Sequence, residues 1–297
     1  MISNAPIVLF VYKRLLHTQK TVEALQRNKG AQDSILFIFS DGPKFEKEKL
    51  QVKNVRNYVK TIIGFKEIHI SESENNLGLA NSVINGVTKV INEYKKIIVL
   101  EDDIICSPGF LKFMNESLSF YENEKGIISV TGFKHPIKLP EDYNSDLFLS
   151  PRPSSWGWGT WLDRWEKVDW DIKDFNEFKS NKNLQNMFNE GGKDLTPMLF
   201  SQMKGTIDSW AIKWTYFHFR SKGYCLYPRF SLIKNIGADN SGTHTNKTDK
   251  FNVVLSNSDK KINMSNNLVL NNDIIREQIN LYEPSFLRKI INKVKYR

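Results

Sequence analysis

Cysteine is scarce: Cys106 and Cys225 are the only two in 297 residues. That excludes a disulfide framework and suits a reducing compartment. Long apolar runs are missing as well. No stretch approaches the roughly 20 residues that cross a bilayer. The first ten residues lack a basic segment followed by a long apolar run, so no signal peptide is expected. Sixteen glycines and ten prolines are scattered, and no internal repeat is visible, which sets aside collagen-like, low-complexity and solenoid chains. Nor is there a glycine in Tyr12-Lys13-Arg14-Leu15-Leu16-His17, where a glycine-rich phosphate loop would follow the first apolar run.

What remains, 40% hydrophobic and 25% charged residues, is the composition of a globular protein long enough to bury a core without staples. Lys and Arg outnumber Asp and Glu by 42 to 33, a charge of +9 that suits anionic partners without choosing among them.

The first 135 residues alternate. Apolar runs of strand length fall at 7–12, 35–40, 67–71, 97–100 and 127–130, with helix-length segments at 17–28, 45–62, 79–94 and 108–121 between them. In the third, Leu79, Val83, Val87, Val90 and Ile91 share one face. Such alternation predicts an α/β fold with a mostly parallel sheet and right-handed crossovers. Beyond Gly132 come a loop with Pro and Asp, a tryptophan-rich stretch at 154–170, polar helical segments, a helix over 207–221 and a strand over 224–233. Trp158, Trp161 and Trp165 stand at helical spacing, a mark of core packing. We read an alternating α/β half over 1–135, a second half of the same domain over 136–262, and a basic helical tail over 263–297.

Chemistry concentrates where the run 97–100 meets Glu101-Asp102-Asp103. Open parallel sheets bind ligands beyond the carboxyl ends of their strands. Three adjacent carboxylates repel one another unless a cation offsets them, and hard oxygen ligands suit Mg²⁺ or Mn²⁺. Read alone, the triplet equally suits a solvated acidic loop.

The alternating half, this triplet with the following Ser107-Pro108-Gly109-Phe110, Ser155-Trp156-Gly157-Trp158-Gly159, and Asp208-Ser209-Trp210, in that order and spacing, resemble the GT-A glycosyltransferases. The likeness is to N-acetylglucosaminyltransferase I and to bacterial enzymes that build surface polysaccharides. It spans roughly residues 5–245. The resemblance implies a GT-A, Rossmann-like fold and transfer of a sugar, with inversion, from a nucleotide (UDP) donor to a hydroxyl of a glycan or lipid-linked oligosaccharide. It implies Asp103, with a C-terminal loop histidine, His244, as ligands of Mn²⁺ or Mg²⁺. It places Tyr12, Arg14, Asp41, Asn76, Asn81 and Asp102 around the nucleotide. Asp208 becomes the general base, although related inverting enzymes often carry a second acid where this chain has Ser209.

Each position has a plainer reading. Asp41 suits a turn before Gly42, Arg14 a surface charge, Asp208 a helix N-cap and His244 a solvated loop. All seven tryptophans lie between Trp156 and Trp214. Aromatic faces stack on sugars, so Trp156, Gly157 and Trp158 are the expected acceptor contacts, the glycines allowing close backbone approach. In the tail, Phe286, Leu287, Ile290, Ile291 and Val294 form one stripe among five basic residues. That pattern fits either an anionic membrane surface or a packed terminal helix. The expected location is cytoplasmic, at the inner face of the membrane if the tail binds there. Two other classes compete: a sugar-1-phosphate nucleotidyltransferase, disfavoured by the missing glycine loop, and a non-catalytic carbohydrate-binding protein, which does not need the acidic triplet. No nucleic-acid signature is present, so nucleic acid is not an expected partner.

Overall fold

A computed structural model describes residues 4–239, 248–256 and 261–283. Four strands, β1 (Ile7–Val11), β2 (Ile35–Ser40), β3 (Glu67–Glu72) and β4 (Lys96–Glu101), alternate with α1 (Leu15–Gln26), α2 (Lys49–Val59) and α3 (Leu79–Tyr94). They pair in parallel in the order β3-β2-β1-β4. The sheet continues through β8 (Trp158–Trp161), β6 (Ile127–Thr131), β9 (Tyr224–Pro228) and β7 (Leu147–Ser150), giving eight strands in all. β8 runs antiparallel to both β4 and β6, and β7 antiparallel to β9. This is the α/β, Rossmann-like and mostly parallel sheet expected of a GT-A fold.

Burial on both faces explains why the strands read as unbroken apolar runs. Along β1 and β4, Ile7, Leu9, Val11, Ile98 and Leu100 face α1, α2 and α4 (Phe110–Phe120). Val8, Phe10, Ile97 and Val99 face α3 and α9 (Trp210–Arg220) on the other side. The period-2 alternation thus separates two apolar layers rather than core from solvent.

The tryptophan spacing is resolved differently from the helix it suggested. Residues 158–161 form β8, and only Leu162–Trp165 is helical (α5). Trp158 and Trp161 therefore emerge on opposite sides of the sheet. The Trp161 indole donates to the Leu118 carbonyl (2.8 Å) in one layer. Trp158 packs in the other layer against Trp165, Trp210 and Trp214, with ring centroids 5.1–5.8 Å apart. Core packing, inferred from the wrong period, is still their role.

The expected strand over 224–233 divides into β9 and β10 (Ile233–Asn235). β10 pairs antiparallel with β5 (Ile104–Cys106), the short strand that follows the acidic triplet. Between β8 and α9 lie α6 (Phe175–Ser180), α7 (Lys182–Phe188) and α8 (Leu195–Met203). After β10 the chain runs back behind α4, where Ser265 exchanges hydrogen bonds with the Tyr121 hydroxyl. The last described element is α10 (Asn272–Leu281), whose Ile274 is buried and whose Gln278 accepts from Ser150. No helix among the described residues is long and apolar enough to cross a membrane.

His218 on α9 is wholly buried; its Nδ1 donates to the Trp214 carbonyl (2.9 Å) and its Nε2 accepts from the Ser129 hydroxyl (2.8 Å). Burial pushes its pKa from 6.5 down to about 3. Because the unfolded chain takes up the proton first, this contribution is complete above about pH 6.5 and is lost as pH falls toward 3. At pH 5 the loss is about 2 kcal/mol. Urea titrations at pH 7 and pH 5 should show that fall in the wild type and a smaller one in His218→Gln. Equal slopes would mean that His218 does not carry the effect.

Candidate active site

β1 is flanked by β2, the next strand in sequence, and on its other edge by β4, so the chain order reverses between β1 and β4. Crevices at such switch points, beyond the carboxyl ends of the strands, are where open α/β sheets bind ligands. Tyr12 and Arg14 leave β1 there, Asp41 leaves β2, and Glu101-Asp102-Asp103 close β4.

Arg14 is no free surface charge. Its guanidinium pairs with Asp102 Oδ1 and lies 2.9 Å from Asp103 Oδ2. Asp102 is 5% exposed and Asp103 8%. Burial works against the Arg14 charge, but the two carboxylates hold it protonated well above its ordinary range. Burial raises Asp102 despite the arginine, with Asp103 adding to the rise. Glu101 is pushed up to about 8 by burial and by its two acidic neighbours. The solvated-loop reading of the triplet is therefore excluded. These acids are crowded, desolvated and only partly compensated.

One side of the cluster is closed by a segment with no sequence signal. The β5–β10 ribbon brings Asn235 to Asp103, Nδ2 donating to Oδ1 at 3.3 Å, while the Ile236 amide donates to the Asp103 carbonyl (2.9 Å). A Cβ on Gly237 would stand 2.0 Å from Asp103 Oδ2, so only glycine lets the backbone pass. His17 pairs with Asp239 at 3.1 Å close by, and Thr21 donates to the Asp102 carbonyl (2.8 Å).

Asp41 does more than turn the chain. Its carboxylate accepts from the amides of Gly42, Leu77 and Gly78 and from the Asn76 side chain, at 2.8–3.0 Å. It thereby binds the end of β2 to the start of α3, and Asn76 completes the tie through the Gly42 carbonyl (2.8 Å). Asn81 is exposed and donates to the Leu77 carbonyl (3.0 Å). The Tyr12 hydroxyl donates to Glu48 (2.7 Å) and accepts from the Lys44 amide (2.9 Å).

Asp208 is exposed and sits directly before α9. The capping role belongs to Ser209, whose hydroxyl accepts from the Ile212 amide at 3.4 Å. Asp208 Oδ2 lies 3.2 Å from where a Cβ on Gly78 would stand, at the start of α3. The carboxylate thus faces the element that Asp41 fixes.

The expected acceptor contacts separate. Trp156 is half-buried, edge-on to Phe133 (4.7 Å) and to Phe251 (5.9 Å). Trp158 has no exposed surface and so none to offer a ligand. Gly157 is buried at φ +56°, and a Cβ there would meet Ile233 at 2.6 Å, so its small size serves packing rather than ligand approach. His244 and the basic tail beyond Glu283 lie outside the described residues.

The carboxylates around Asp103 are hard oxygen ligands, whereas the Asn235 amide turns its nitrogen toward them and its oxygen to the Gly237 amide. One arginine leaves part of their negative charge unbalanced. They fit Mg²⁺ or Mn²⁺ held at a single carboxylate. Among the described residues there is no cluster of three or more His, Cys, Asp or Glu arranged to enclose a metal.

No family model and no curated protein matches the chain. Solved structures similar to it include the following three. The mannosyltransferase PcManGT from Pyrobaculum calidifontis, in complex with GDP-Man and Mn²⁺, shares 10% identity at a TM-score of 0.39 over 55% of this chain and 46% of its own. S. aureus TarS shares 9% at 0.40, over 77% and 36%. A UDP-glucose pyrophosphorylase complexed with UDP-glucose shares 11% at 0.36, over 76% and 91%. The chain spans less than half the length of the first two.

Proposed function

We propose that this protein is a glycosyltransferase that moves a sugar from a nucleotide donor, UDP-linked, to a hydroxyl of a surface-glycan acceptor. The observation that carries the reading is the buried Asp102–Asp103 pair, bridged by Arg14, at the switch point between β1 and β4. A solvated loop or a lectin has no use for desolvated acids there.

In this reading Asp103 would hold Mn²⁺ or Mg²⁺. When bound, the cation supplies positive charge to the departing diphosphate. The chain's own residues do the rest. Arg14, already positive and half-buried, adds a second cation beside the phosphates. Tyr12, Asp102, Asn76 and Asn81 border the nucleoside, and Asp41 keeps the Asn76–Gly78 loop in place for them. Asp208 takes the proton from the acceptor hydroxyl as its oxygen bonds to the anomeric carbon. The bond from that carbon to the phosphate oxygen breaks, and UDP leaves with the electron pair, so one displacement inverts the centre. The basic tail would keep the enzyme on an anionic cytoplasmic leaflet, where a lipid-linked acceptor is presented.

The test is a thermal-shift panel of nucleotide sugars with and without Mn²⁺. A ligand at one hundred times its Kd adds about 2.7 kcal/mol of stability, so the true donor should raise Tm by several degrees, and more with the cation. A panel in which no nucleotide sugar raises Tm would remove the proposal.

A further inference from the structure

Leu16, Phe45 and Leu50 are 70, 54 and 67% exposed, and all three stand at one rim of the sheet. β1 and β2 pair in parallel, so α1 and α2, which follow them, start at the same edge. The two helices share one apolar layer through Val22, Leu25, Val55 and Val59. Leu16 lies in the first turn of α1 and Leu50 in the first turn of α2. Phe45 sits in the loop that leads into α2, and that loop is pinned to the end of β1. Its anchor is Glu48, a buried carboxylate that accepts from the Tyr12 hydroxyl, the Lys13 ammonium and the Phe45 amide. The Phe45 ring is thus held outward on a fixed loop.

Lysine surrounds these apolar tips. Lys44 and Lys47 each lie 5.7 Å from the centre of the Phe45 ring. Lys20 follows Leu16 by four residues on α1, and Lys53 follows Leu50 by three on α2, so each shares a helix face with its leucine. All four lysines are exposed, and none makes an ion pair among the described residues. The acids close by are already engaged, Glu48 with Lys13 and Glu46 with Lys49 at 2.8 Å. Glu23 lies two turns along α1 from Leu16. The rim therefore carries separate apolar tips inside a net positive field.

That combination discriminates between partners. Protein interfaces bury a continuous apolar centre and are depleted in lysine, which is the opposite of this rim. At a lipid surface, Phe and Leu side chains enter the boundary between headgroups and acyl chains. Lysines lay their stems along the same boundary and keep their charges among anionic headgroups.

We propose that this rim docks the folded body on an anionic lipid surface, with Leu16, Phe45 and Leu50 inserted and Lys20, Lys44, Lys47 and Lys53 on the headgroups. The surface is distinct from the basic tail, and the proposal concerns where the molecule sits, so it does not depend on the glycosyl-transfer reading. Tyr12 belongs both to this rim and to the crevice at the switch point, so docking brings the mouth of the crevice beside the headgroups.

Co-sedimentation of the full chain with phosphatidylcholine vesicles, with and without phosphatidylglycerol, tests the proposal. Binding should require phosphatidylglycerol. Lys44→Gln combined with Lys47→Gln should weaken it by roughly 30-fold, about fivefold per lysine. Phe45→Trp locates the contact, because all seven native tryptophans lie between Trp156 and Trp214. Vesicles of brominated phosphatidylglycerol should quench the emission of Phe45→Trp beyond that of the wild type. The substituted side chains are exposed, so both variants should keep the wild-type Tm. Wild-type vesicle binding by the double variant, or bound Phe45→Trp that is not quenched, would show that another face, such as the tail, meets the lipid, and would overturn the proposal. Failure to bind anionic vesicles would overturn it too, and salt-sensitive binding to RNA in their place would assign the lysines to nucleic acid.

Discussion

Asp103→Asn should lose transfer by roughly 10³-fold, equivalent to about 4 kcal/mol of transition-state stabilisation, with no loss of folding stability. The asymmetry follows from the cluster. Asp103 contributes one carboxylate to a set in which Glu101 is already pushed up to about 8 by burial and by its acidic neighbours. Removing a negative charge relieves repulsion, and Arg14 keeps its pairing with Asp102. The amide still fills the space beneath Gly237, where a Cβ would stand 2.0 Å from Oδ2. Tm of the variant should therefore equal or exceed that of the wild type, while the Mn²⁺-dependent part of the nucleotide shift disappears. A site that holds strain for function shows this trade of stability against activity. A variant that transfers sugar at the wild-type rate would sink the assignment of Asp103. One that simply unfolds would show that the acids stabilise the fold through Arg14 instead.

Much of this was legible from the sequence, for a physical reason. The residues 79–94 carry a strong 3.6-residue period, and the helix occupies those same bounds. The runs at β1 and β4 are apolar on both faces, which only a strand buried between two helical layers requires. Where the reading went astray, local pattern and tertiary placement disagreed. Trp158, Trp161 and Trp165 fit a helical period, yet β8 lies antiparallel between β4 and β6, and its backbone pairing decided the matter. Asn235 and Gly237 left no trace because β10 is three residues long and meets its partner across more than a hundred positions of sequence. A cavity lined by Trp156, Phe251 and Tyr282 could not be read either, since its walls come from three segments far apart in sequence. At Asp208 the sequence offered a base or a cap, and one residue's shift in the helix start separated them.

That separation makes two neighbouring substitutions discriminate sharply. Asp208→Asn should lower kcat by about 10²–10⁴, the range for loss of a positioned general base, and leave the KM for donor within about threefold. Its side chain is exposed and makes no hydrogen bond among the described residues, so folding stability should change by no more than about 0.5 kcal/mol. Ser209→Ala should do the reverse. It removes the hydroxyl that accepts from the Ile212 amide, costing about 1 kcal/mol of stability as a lost cap, with kcat within a few-fold of wild type. Had Asp208 been the cap, the two results would be exchanged. The pair thus tests chemistry against architecture at adjacent positions, under the same backbone and the same buried Trp210. A kcat within tenfold of wild type for Asp208→Asn would move the base elsewhere in the cleft. The acid pair bridged by Arg14 would be untouched by that result, because nothing in its geometry depends on α9.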